Sequence, residues 1–87
     1  MDLETELTAI GRDLAGHVQS GIVDEFLDFV GAGEYGVGLE ILCDRLYDEE
    51  EPLTVAEIRR IRHTAAAMGL ARPSIADIAE LAVDDIQ

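Results

Sequence analysis

The chain has 87 residues, 48% of them hydrophobic, and sets 19 acids against six basic side chains, all arginine, for a formal charge of −13. That length fits one domain and that composition a folded one. The charge leaves no basic footprint with which to hold phosphate, so direct binding to DNA, RNA or anionic lipid is not expected, and a basic protein is the favoured partner.

From the N-terminus, Leu3, Leu7, Ile10, Leu14 and Val18 recur at i, i+3/i+4 and predict an amphipathic first helix. Ser20-Gly21 punctuates the chain. Ile22, Val23, Phe26, Leu27, Phe29 and Val30 then form the apolar face of a second helix, with Gly31 and Gly33 as its stop. A third helix is predicted over Tyr35–Asp48, with Tyr35, Leu39, Leu42, Cys43 and Leu46 in one stripe. Thr54 and Glu57 fit a capping box that opens a fourth helix, and Leu53 with Ile58 fit a hydrophobic staple. The stripe Ile58, Ile61, Ala65, Met68 ends at Gly69-Leu70, a glycine C-cap with its apolar follower. Pro73 blocks continuation, and Ser74 with Asp77 repeat the cap in weaker form to open a short fifth helix carrying Ile75 and Ile78. No period-2 strand pattern stands out. The fold expected for residues 1–87 is a single all-α domain, a compact bundle of four main helices plus a short fifth. Leu14, Phe26, Leu42, Leu46, Ile58 and Ile61 are its expected core.

Reactive chemistry is sparse. No apolar run approaches the ~18 residues of a membrane span, and the acidic N-terminal stretch is unlike a secretion signal, so a cytoplasmic protein is expected. His17 and His63 show no ligand spacing with each other or with Cys43, so neither metal nor cofactor is expected. Cys43, in mid-stripe, reads as a small hydrophobe. Ser20 and Ser74 stand at expected caps with no nucleophile-elbow context. The glycines of "GAGEYGVG" follow no strand and precede no lysine, so they read as a turn, not a phosphate loop. An acyl carrier would need a serine in an Asp-Ser-Leu setting, which "VQSGIV" and "RPSIAD" do not supply. No positive argument for an enzyme remains.

Residues 26–70 carry a more specific pattern. Gly33-Glu34-Tyr35-Gly36 form a turn, and Leu39, Glu40, Leu42, Cys43, Leu46 and Tyr47 lie on the helix after it. Acids, Pro52-Leu53 and a second helix ending Met68-Gly69-Leu70 follow. In this order the anchors resemble the MafI-type immunity proteins, small acidic helical proteins encoded beside secreted polymorphic toxins. Two positions depart from the pattern: Gly38 stands where alanine is expected, and "DEEE" lacks an aromatic after the Leu-Tyr step. A chain without lysine and rich in Ala, Asp and Arg is also compatible with a GC-rich bacterial genome.

The resemblance implies neutralisation of a cognate toxin domain and leaves that toxin's activity open; the chain's acidity adds the expectation of a basic nuclease occluded under an acidic helical surface. The alternatives are an acidic nucleic-acid mimic that blocks a DNA- or RNA-binding protein, and a small carrier or adaptor domain. The expected toxin-binding residues are Asp44, Tyr47, Asp48, Glu49, Glu50 and Glu51, left outside the third helix's apolar stripe, with Glu34 and Tyr35 at the turn. Tyr47 is the expected aromatic anchor.

Overall fold

The computed structural model describes residues 2–83. Asp2 opens helix α1 (Leu3–Leu14) by accepting a hydrogen bond from the Glu4 N–H at 3.2 Å. The helix stops at Leu14, short of the expected stripe's last member. Residues 15–18 turn through Gly16, and Val18 is buried from that turn, its N–H donating to the Leu14 carbonyl at 2.8 Å. Helix α2 runs Ser20–Gly31, so Ser20 and Gly21 belong to its first turn instead of preceding it. Its N-cap, Gln19, offers no side-chain cap.

Helix α3 spans Tyr35–Asp48, the predicted range. Gly38 packs tightly against α2. A Cβ built there would lie 2.8 Å from the Phe29 Cβ, a distance real side chains do not tolerate. Gly38 thus serves a helix–helix contact inside the protein.

Helix α4 (Val55–Ala67) opens on the complete capping box: the Glu57 N–H donates to Thr54 Oγ1 at 3.0 Å and the Thr54 N–H to Glu57 Oε1 at 2.9 Å. Gly69 ends it with a left-handed φ of +73°, and the Leu70 N–H reaches back to the Ala65 carbonyl at 3.0 Å. Helix α5 (Pro73–Asp77) places proline in its first turn, where no N–H is needed. The weak Ser74–Asp77 cap does not form; Arg72 is the N-cap, and Ser74 is a buried helical residue. A 3-10 turn over Ile78–Leu81 follows.

These pieces form four main helices and a short fifth in an all-α domain of 31 × 24 × 23 Å. Helix α3 is central, packed on α2 most extensively and also on α1, α5 and the 3-10 turn, while α4 covers α1, α5 and that turn. All six expected core residues are buried, joined by Leu7, Ile10, Leu39, Cys43, Leu53 and Ile78 among others. Each large apolar side chain so enclosed contributes about 1.5–3 kcal/mol. Three arginines tie helices together at the rim: Arg45 to Glu25, Arg60 to Glu6 and Asp13, and Arg72 to Asp44. His17 Nε2, 2.8 Å from Glu57 Oε2, links the α1–α2 turn to the capping box. One parallel backbone pairing completes the frame: the Leu53 N–H donates to the Leu81 carbonyl at 3.1 Å and the Val83 N–H to the Leu53 carbonyl at 2.9 Å. Among the described residues no helix is long and apolar enough to cross a membrane.

Candidate functional site

The end of α3 uses the same stop as α2 and α4 but puts a glutamate where they put glycine. Glu50 carries a φ of +51°, the left-handed conformation in which Gly33 and Gly69 stand elsewhere in this chain. The Glu50 N–H donates to the Tyr47 carbonyl at 3.1 Å and the Glu51 N–H to the Leu46 carbonyl at 3.0 Å, the double bond of a Schellman stop. Leaving the helix this way turns Glu50 outward and Glu51 inward.

Glu51 is therefore not a surface acid. It is 7% exposed, and its Oε2 accepts from the Gln19 N–H at 3.4 Å, at the start of α2. This corrects the expectation that the whole acidic run faces a partner. The physical reason is the reversal at Glu50, which points the following side chain at a helix N-terminus, where a carboxylate is favoured.

The remaining candidates fall into two groups. Glu34 is exposed and Tyr35 half-buried against the core at the other end of α3, roughly 18 Å from Tyr47 at 1.5 Å per residue. They form no common patch with the acidic end. Asp44, one turn before Tyr47, is held by Arg72, with Nη2 to Oδ2 at 2.7 Å. The buried Ser74 hydroxyl nearby and then Arg72 keep its carboxyl below the usual carboxylate range. Ser74 Oγ has no partner at hydrogen-bonding geometry, so it acts as a neighbouring dipole and Arg72 is the firm contact. Asp44 is thus a neutralised shoulder of the site.

Tyr47 is the centre. Half-buried, it lines a shallow depression with Asp48, Glu50, Glu80 and Leu81, and its hydroxyl donates to Glu80 Oε1 at 3.3 Å. Its phenol is pushed above the ordinary value, first by the charge of Glu80 and its hydrogen bond, with Asp77 and Glu50 adding to it. Asp48, Glu49 and Glu50 are exposed. None of Asp48, Glu50, Asp77 and Glu80 takes part in an ion pair among the described residues. The site is an aromatic ring in a depression shared with Asp48, Glu50 and Glu80, with the charge of Asp77 adding to the field on its phenol. Asp77 and Glu80 escaped the sequence reading because they lie some thirty residues downstream and arrive through α5 and the 3-10 turn. Their spacing from Tyr47 in the chain carries no signal of this.

The arrangement suits binding a cationic surface: the acids supply attraction and the ring a flat apolar contact. Reactive groups are few. Burial, then Asp44 and Glu40, push the wholly buried Cys43 thiol up to about 12, which keeps it protonated and inert. Among the described residues no group of three or more His, Cys, Asp or Glu side chains is placed to hold a metal. No family model, no curated protein and no solved structure matches the chain.

Proposed function

We propose that the protein is an immunity protein, which binds the catalytic domain of a cognate secreted toxin in the cytoplasm and occludes it by contact, not by catalysis. The observation that carries this reading is the group of unpaired carboxylates, Asp48, Glu50 and Glu80, lining the depression around the half-exposed Tyr47, with the charge of Asp77 reinforcing it. In a chain with only six arginines for nineteen acids, these four acids are left without a counter-charge on one edge. Such an edge complements a basic nuclease surface evolved to hold phosphate. The resemblance of residues 26–70 to MafI-type proteins supports the same reading.

Co-expression tests it. The toxin domain encoded beside this gene should kill cells alone and spare them with this protein; equal killing in both cases ends the proposal. Purified components locate the face. Asp48→Asn, Glu50→Gln and Glu80→Gln together should slow association and flatten its salt dependence, because exposed charges act mainly on encounter. Tyr47→Ala should instead speed dissociation by about 2 kcal/mol with little change in melting temperature, as expected of an aromatic anchor. A loss of melting temperature that parallels the loss of affinity would make Tyr47 a packing residue.

A further inference from the structure

The opposite polarity is concentrated elsewhere. Arg12, Arg59 and Arg62 are the arginines without an ion pair among the described residues, and two of them stand one turn apart on the exposed side of α4. Arg59 and Arg62, with His63, line a cleft between α4 and the 3-10 turn whose apolar lining is Val55, Ile58, Ala79 and Ala82. Val55, at 51%, is the most exposed large hydrophobic residue of the described chain. With nineteen acids available, an arginine on a helix usually finds one within a turn or across a helix pair, as Arg45, Arg60 and Arg72 do. Here the positions one turn away hold Val55, His63 and Ala66, so the guanidinium groups face outward beside uncovered aliphatic surface.

We propose that this cleft binds an acidic peptide segment of a partner protein, with carboxylates on Arg59 and Arg62 and an aliphatic side chain laid over Val55 and Ile58. The planar guanidinium fork matches a carboxylate in two-point contact, and the apolar lining selects a segment in which acids alternate with aliphatic residues. Nucleic acid is the wrong occupant: two arginines replace few phosphate counterions, and the apolar lining gives a sugar-phosphate backbone nothing to bind. The inference goes beyond the acidic face at Tyr47 and stands without it.

The test is a titration of the full-length 15N-labelled protein with an acetylated, amidated hexapeptide in which aspartate alternates with leucine. Saturable amide shifts should centre on residues 55–63 and on Ala79 and Ala82. Arg59→Gln with Arg62→Gln should weaken binding by roughly tenfold or more, the size of a lost charge-assisted contact. Arg12→Gln changes net charge by the same step as either single variant but lies on α1, and it should leave affinity within about twofold. The altered arginines are exposed, and circular dichroism checks that each variant folds. The proposal is overturned by shifts that do not saturate or that centre elsewhere. It is equally overturned by equal binding of a peptide with asparagine for aspartate, by an Arg12→Gln loss as large as that of Arg59→Gln, or by undiminished binding in the double variant.

Discussion

Helices α3 and α4 end with the same backbone geometry and opposite chemistry. In both, a left-handed residue lets the next N–H reach a carbonyl five residues back at 3.0 Å: Gly69 and Leu70 to Ala65 in α4, Glu50 and Glu51 to Leu46 in α3. At α4 the left-handed residue is glycine, which adopts that conformation freely, and the follower, Leu70, packs on the core. At α3 both are glutamates. A side chain in the left-handed region costs about 1–2 kcal/mol, and acids at a helix C-terminus oppose its dipole. The α4 end is what stability alone would select; the α3 end spends stability to keep acids beside Tyr47. Local choices that go against the fold tend to mark where a protein does something.

Four variants sharpen that contrast. Leu46→Ala removes the fully buried side chain beneath the α3 stop, where α4 has only Ala65, and should lower unfolding free energy by about 2–5 kcal/mol in a urea titration. Gly69→Ala forces a Cβ into the left-handed region at the stable stop and should cost about 1–2 kcal/mol. Glu50→Gly should move the other way, raising stability by up to about 1 kcal/mol while weakening any binding through the acidic face. If Glu50→Gly is destabilising, the α3 end is not a compromise and the contrast collapses.

The fourth variant concerns Asp44, the acid near the α3 end that is held in an ion pair. The folded-state pKa of Asp44 is lowered, so the unfolded chain binds its proton first on acidification. Its contribution is present in full above the unfolded value, near 4, and is lost as pH falls through the lower folded value. Arg72→Gln should therefore cost less than about 1 kcal/mol at neutral pH, since the pair is partly exposed. The gap to the wild-type chain should close below about pH 4. A gap that widens on acidification would mean that Arg72 stabilises through something other than Asp44.

What the sequence revealed follows the range of the interactions. The Thr54–Glu57 box, the Gly69-Leu70 stop and the bounds of α3 are settled within a few residues, and each was legible. So was the core, because helical periodicity fixes which side of α3 faces α2. The fate of Glu51 was not legible. It depends on the Gln19 N–H, 32 residues away, and on a left-handed glutamate that no propensity favours. His17 likewise meets Glu57 across 40 residues. Glu80 reaches Tyr47 only through the docking of the 3-10 turn, and the charge of Asp77 arrives with α5. Composition signalled that acid would matter; topology decided which acids.

The pairing of Leu53 with Leu81 and Val83 gives that acidic group a timetable. The α1–α2 and α2–α3 contacts join neighbouring helices across short loops, whereas this pairing closes a loop of some thirty residues, so loop-closure entropy predicts that it forms after them. Fraying of that segment is expected to break these two amide bonds and to draw Glu80 from Tyr47 while the α1–α3 packing stays shut, a local opening instead of global unfolding. Hydrogen exchange at Leu53 and Val83 consequently gauges how often the proposed binding face is assembled in a protein that is otherwise folded.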